Sequence, residues 1–291
     1  MEFFVNLPLA WIYREEAWLD RFFGYAARND LEHAFGLELG LDEVSLALPL
    51  SWHQKIAARI LEQGSFCSVH LPFFMLPPGN VQNRPQGRKS LDILCRAAEM
   101  ADIFAARHLI GHPGYSAATD ASAFVERKGA AEGFPSEAWL DYSAAAWEKV
   151  AGIASGRLFL ENTHESDPLP LLALLDRLTC GQNGRKIALC FDIGHWHCFA
   201  GGSALHNLEG WVKAFKPYLG HLHLHDNDGT LDQHLGLGCA AIPFGLFFPL
   251  LVSLNLYPSF TLEPHGLSDL DASLAWMGQN SEMRRWLACP R

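Results

Sequence analysis

Nine side chains of first-row metal-ligand type stand out along the 291 residues: His70, His112, Glu161, Asp192, His195, His223, Asp232, His234 and Glu263. Imidazole and carboxylate together suit zinc, manganese, iron or cobalt, and histidine, of which the chain has 14, is the commonest metal ligand. His70, His112, Glu161, Asp192, His223 and Glu263 are each separated by about the length of one strand-plus-helix unit. Glu161 and Glu263 end apolar runs, LFLE and FTLE, where an unpaired carboxylate would be costly, so a cation is expected between them. In GHLHLHDN (220–227), His221, His223 and His225 share one face of a strand and Leu222 and Leu224 the other. The leucines are expected to face helices and the histidines to face inward. His223 is the expected ligand, with His221 a layer deeper; His225, projecting above the strand ends, is the alternative.

Elements that would bring these residues together alternate along the chain. Strands are expected at 3–9, 36–41, 66–73, 108–114, 157–163, 187–195, 220–227 and 259–266. Helical segments are expected at 15–33, 52–63, 88–105, 135–154, 169–178, 205–215 and 267–286, with Pro243 in a first helical turn after the seventh strand. Eight β-then-α units without a linker predict an α/β fold, a single (β/α)8 TIM barrel over residues 1–291. A doubly wound open sheet is disfavoured, because the opening VNLPLAW lacks a glycine-rich first turn. In a barrel the candidate ligands fall at the C-terminal strand ends, where such folds place their chemistry. The long stretch 114–133 after the fourth strand is expected to shape a substrate pocket.

A net charge of −10 disfavours extended nucleic acid as a partner, although bound metal ions can still attract a small anion. Seven cysteines with no C-x-x-C pair read as reduced, buried thiols. The N-terminus has no basic residue before its apolar stretch, and the longest apolar run is broken by proline and glycine, so no membrane partner and a cytoplasmic location are expected. No phosphate-cradling glycine motif is present, and no lysine stands at a strand end to form a Schiff base. Asp226-Asn227-Asp228-Gly229 lacks the spacing of a calcium loop and reads as a turn. Phe73, Phe74 and Met75 form an apolar rim after His70, and Trp196 and His197 are candidates to line the pocket. Phe73, Trp196 and His225 are the expected substrate contacts.

Seven motifs, VHLPF (69–73), GHPG (111–114), LENT (160–163), FDIGH (191–195), HLHDNDG (223–229), DQHLGLG (232–238) and LEP (262–264), together resemble the xylose isomerase-like TIM-barrel superfamily, also called the AP endonuclease family 2 group. The resemblance to its sugar isomerases and epimerases implies one metal held by Glu161, Asp192, His223 and Glu263, with His195 on substrate. The resemblance to its endonuclease branch implies three zinc ions: at His70, His112 and Glu161; at Glu161, Asp192, His223 and Glu263; and at His195, Asp232 and His234. All nine positions are filled. That completeness, with the acidic charge and apolar rim, favours a small or medium phosphodiester over duplex DNA, as in the cobamide-remodelling phosphodiesterases that this branch resembles.

The expectation is therefore a zinc- or manganese-dependent phosphodiesterase with one to three ions per chain and a small-molecule substrate carrying a phosphoester or sugar. Glu161 would bridge two ions that deliver hydroxide, and the third ion would stabilise the leaving oxygen. Glu161, Glu263 and His195 are its catalytic residues. The alternative is a single-metal sugar or sugar-phosphate isomerase or epimerase, with Glu161 and Glu263 as acid–base groups on either side of the sugar carbon. A non-catalytic binding protein would be expected to have lost part of the ligand set.

Overall fold

Alternation along each strand divides the side chains into an outer set that meets helices and an inner set that meets the barrel axis. The computed structural model describes residues 3–28, 35–73, 84–114, 136–200 and 204–289. Its strands are β1 (Phe3–Pro8), β2 (Phe35–Gly40), β3 (Cys67–His70), β4 (His108–Gly111), β5 (Arg157–Glu161), β6 (Ile187–Asp192), β7 (Leu219–Leu224) and β8 (Ser259–Leu262). They pair in parallel in sequence order, and β8 returns to β1, with Phe4 opposite Thr261 and Val5 opposite Leu262. This is a closed (β/α)8 TIM barrel.

Outward residues such as Val5, Leu37, Leu109, Leu189, Leu222 and Leu224 join the helices in one large apolar cluster. Inside, Ile110, Phe159, Ala188 and Cys190 form a separate small cluster. Phe4 also reaches the axis, against His108 and His221, and beside it Glu38, Ser68, His221, His223 and Thr261 are all fully buried. Burial of so many polar groups is tolerated where they bond to one another or to a ligand. The inward orientation of the β7 histidines is thus as expected, with His221 below His223.

Strand ends are shorter than expected, for local reasons. β6 stops at Asp192 because its carboxylate accepts the amide of His195 at 2.7 Å and starts the helix Ile193–Phe199. Segment 15–33 is represented by a helix, Ala17–Arg28, preceded by a shorter one, Leu9–Arg14. Segment 267–286 is two helices, Leu267–Gln279 and Ser281–Ala288, divided at Asn280, whose side chain caps the second by accepting from Met283 N at 2.8 Å. Pro243 sits at the N-cap of the helix Phe244–Ser253. Phe74, Met75 and all but the first residue of 114–133 lie outside the described residues. The seven cysteines are unpaired, but Cys180 and Cys239 are exposed, against the expectation of burial. No described helix is long and apolar enough to cross a membrane.

Candidate metal centre at the barrel mouth

His223 Nδ1 is the point on which the centre converges. It lies 3.1 Å from Glu161 Oε1, 3.4 Å from Glu263 Oε1 and 3.8 Å from Asp192 Oδ2. Donor atoms sharing one ion at about 2.1 Å stand roughly 3.0–3.5 Å apart, so the distances from His223 Nδ1 to Glu161 and Glu263 suit a shared ion and that to Asp192 is slightly longer. Asp192 divides its work: Oδ1 caps the helix that carries His195, while Oδ2 is buried without a hydrogen-bond partner. A buried carboxylate oxygen left open among imidazoles and carboxylates fits a cation.

The other expected donors stand on both sides of this group. His70 Nε2 and His112 Nε2 approach Glu161 Oε2 at 3.2 and 3.1 Å. On the far side His195 Nε2 and His234 Nε2 approach Asp232 Oδ2 at 3.3 and 3.1 Å. Donor atoms gather within 4.8 Å of one another in the sets His70, His112, Glu161 and Glu161, Asp192, His195. All nine sequence-assigned donors are therefore brought to one mouth.

Backbone carbonyls fix the tautomers. Nδ1 of His70 faces Leu71 O at 2.9 Å, that of His195 faces Asn162 O at 2.9 Å, and that of His234 faces Glu263 O at 3.1 Å. A carbonyl can only accept, so each Nδ1 donates its proton and each Nε2 is left as the ligand atom. His223 is reversed: its Nδ1 faces the centre and its Nε2 faces Glu38 Oε1 at 3.1 Å.

Long-range placement of Asp232 and His234 depends on the loop after β7. Asp226 exchanges two backbone hydrogen bonds of 2.9 Å with Leu235, and its carboxylate accepts from the amides of Ala240 and Ile242 at 2.9 and 3.0 Å. Asn227 accepts from Gly229 N at 2.9 Å, so the DNDG run is the turn it was expected to be. His234 has φ 51°, in the left-handed region, a backbone cost of order 1 kcal/mol that the surrounding bonds must hold.

Charge in the metal-free centre is shared between acids and imidazoles. Burial pushes the Glu161 carboxyl up, but the His223, His112 and His195 rings outweigh it and hold it well below the usual range. For Glu263 burial prevails over His223 and His234, and its carboxyl is raised. Burial depresses His195, yet Asp192, Asp232 and Glu161 lift it well above its ordinary value. Displacing such protons is part of metal loading, since ligands bind deprotonated.

Above the donors opens a cavity of about 460 Å³, whose walls include Trp11, Leu41, Phe73, His164, Pro264 and His265. Phe73 is 53% exposed and stacks on His112, with ring centroids 4.6 Å apart. Two expected substrate contacts are corrected. Trp196 is buried in the apolar cluster, because its position in the helix Ile193–Phe199 turns the indole away from the mouth. His225 does not project above the mouth: β7 ends before it, and the ring is buried with Nε2 3.3 Å from Asp192 Oδ1 and 3.5 Å from Asp232 Oδ1. Gly194 makes room for it, since a Cβ there would lie 1.9 Å from His225 Cε1.

Sequence reasoning missed Glu38. A carboxylate inside the apolar strand GLELGL is the same signal that singled out Glu161 and Glu263, but Glu38 lies one layer below the strand end and a search of strand ends passes over it. His164 and His265, which follow strand ends within a few residues, were missed as pocket walls for want of a spacing pattern.

The family model described as xylose isomerase-like TIM barrel matches residues 34–280. Among solved structures, a D-tagatose 3-epimerase-like protein is 19% identical with a TM-score of 0.69, covering 99% of this chain and 100% of that one. A Thermus thermophilus protein soaked with ZnCl2 is 24% identical with a TM-score of 0.69, over 96% and 97% of the two chains. D-psicose 3-epimerase with D-tagatose, from Clostridium cellulolyticum, is 13% identical with a TM-score of 0.66, over 99% and 100%. An uncharacterized protein of Methanocaldococcus jannaschii is 32% identical over 91 residues, so the match spans 31% of this chain and 33% of that protein. The expected phosphodiesterase is corrected by these likenesses: the quoted structures that carry the name of an activity are named for sugar epimerases. The physical reason is that isomerisation and hydrolysis draw on the same strand-end donors, so a full set of ligands does not by itself select the hydrolase. By its motifs, its closed barrel and the family model that spans most of its length, the chain belongs to the xylose isomerase-like TIM-barrel family.

Proposed function

We propose that the protein is a divalent-metal-dependent isomerase or epimerase of a small sugar, with its principal ion held by Glu161, Asp192, His223 and Glu263. The observation that carries this reading is the approach of three carboxylates to His223 Nδ1 at 3.1, 3.4 and 3.8 Å beneath an open cavity. A divalent ion bound there would polarise a ketose carbonyl and acidify the neighbouring C–H. Glu161 ends β5 and Glu263 follows β8, three strands away around the barrel, so one carboxylate can take the carbon-bound proton from one face of the sugar while the other returns a proton to the opposite face. The C–H bond breaks to an enediol and reforms with inverted configuration, with no net change in atoms. His195 positions substrate oxygens from the mouth. His70, His112, Asp232 and His234 surround the principal ion and are sites for up to two further ions; the mixed donor set suits zinc or manganese.

Phe73 and Trp11 offer apolar faces to a sugar ring, and the described lining of the cavity contributes carboxylates and imidazoles without lysine or arginine. Unphosphorylated ketoses are accordingly the first substrates to screen. The test is incubation of metal-loaded protein with a panel of ketopentoses and ketohexoses in D2O. Deuterium entering the carbon next to the carbonyl, together with the epimer or aldose, and loss of both in Glu161→Gln, is the expected result. No exchange across the panel, or full exchange in Glu161→Gln, overturns the reading.

A further inference from the structure

Beneath the metal centre lies a buried polar chain that ends on His223. Ser259 Oγ is 2.7 Å from His221 Nδ1, His221 Nε2 is 2.8 Å from Thr261 Oγ1, and Thr261 Oγ1 is 2.8 Å from Glu38 Oε2. Ser68 Oγ also reaches Glu38 Oε2, at 3.2 Å. Proton counting gives the chain a direction. A carboxylate accepts only, so Thr261 spends its one O–H on Glu38; it must then accept from His221 Nε2, and His221 Nδ1 accepts the Ser259 hydroxyl.

Two hydroxyls occupy Glu38 Oε2, while Oε1 has no hydrogen bond and stands 3.1 Å from His223 Nε2, which also has none. Both residues are fully buried. Among the described donors, His70, His195 and His234 are oriented by backbone carbonyls through Nδ1; His223 alone of these four turns Nδ1 to the centre and Nε2 to a side-chain carboxylate. A carboxylate behind an imidazole holds one tautomer, fixes the ring plane and makes the opposite nitrogen a stronger donor.

We propose that Glu38 is a positioning residue of the metal centre, a carboxylate that holds the Nε2 proton of His223 so that Nδ1 is presented to the ion, with Thr261 and Ser68 fixing the carboxylate in turn. This rests on the metal-centre part of the proposed function, and not on the identity of the sugar.

The test compares wild type, Glu38→Gln, Glu38→Leu and Thr261→Val for zinc and manganese affinity by chelator competition, and for the 15N shifts of the His223 ring. Gln keeps an acceptor without charge and is expected to weaken metal binding about tenfold; Leu keeps the volume and loses the acceptor, and is expected to weaken it up to about a hundredfold. Thr261→Val, which leaves Glu38 in place, is expected to cost a few-fold. In the zinc-loaded protein the His223 ring is expected to show the shifts of an Nε2–H imidazole bound through Nδ1, and to lose that signature in part in Gln and Leu. If Leu does not fold, Gln with its ring shifts decides the matter. Affinity within twofold of wild type in Gln or Leu, with an unchanged tautomer while His223→Ala loses the metal, overturns the role of Glu38. A fall in affinity in a protein that turns over no ketose leaves the inference standing and removes the substrate assignment.

Discussion

Asp192 accepts the backbone amide of His195 at 2.7 Å through Oδ1, so the carboxylate that ends β6 also starts the helix presenting the next donor, while its Oδ2 remains open to the centre. One residue thus couples a helix cap to a metal ligand. The two roles separate by substitution. Asp192→Asn retains an oxygen for the cap and loses the anionic ligand; Asp192→Ala loses both. Metal-free Asn is expected to melt close to wild type yet bind zinc at least tenfold more weakly, and Ala to lose a further ~1 kcal/mol of stability through the cap. Calorimetric unfolding of the apo proteins and metal titration check the two halves.

Ion count separates the principal centre from its neighbours. Glu161, Asp192 and Glu263 surround His223 Nδ1, whereas Asp232 and His234 meet each other 3.1 Å apart on the loop after β7. Asp232→Ala with His234→Ala is therefore expected to retain the principal ion, and Glu161→Ala to retain none at that centre. Elemental analysis after gel filtration is the measurement. A double variant left without any ion would show that the donors form one inseparable cluster.

Chelation is expected to destabilise the protein as well as silence it. Four acidic donors packed together without a cation rely on imidazolium charge alone, with His195 and His223 both lifted above their ordinary values despite burial. An ion at a hundred times its dissociation constant adds about 2.7 kcal/mol to the folded state, provided the unfolded chain does not bind it. The melting temperature should rise with added zinc or manganese and fall again with excess chelator. Glu263→Gln and Asp192→Asn should show most of that dependence removed.

Much of this architecture was legible because it rests on period and position. Outer leucines and inner histidines on β7 follow from alternation alone, and eight such strands with intervening helices leave few closed solutions. The nine donors were legible because strand ends converge in a barrel. What escaped lies at other depths or depends on where chains stop. Glu38 is a layer below the mouth; His225 lies a residue past the end of β7 and is held between Asp192 and Asp232; Trp196 follows a strand that gave way to a helix three residues earlier than its composition suggested. The chemistry escaped for a different reason, since the same donors serve both hydrolysis and proton transfer.

His108 supplies a pH signature of the barrel interior that is separate from the donors at the mouth. Burial pushes its imidazole down to about 4, with Glu38 opposing and the His223, Arg157 and Arg107 charges assisting. The ring sits between Phe4, Phe159 and His221, and its Nε2 has no hydrogen-bond partner. An unfolded histidine takes up a proton near pH 6.5, whereas the folded ring takes one only near 4. Below pH 6.5 the unfolded state therefore binds more protons, and the stability present above that pH is lost progressively down to about pH 4. The full loss is about 3 kcal/mol by linkage. Urea unfolding of the apo protein between pH 7.5 and 4 is expected to show a shallower decline in His108→Gln than in wild type over that window. Parallel curves for the two proteins would mean that the folded ring titrates as the unfolded one does, and would remove this signature.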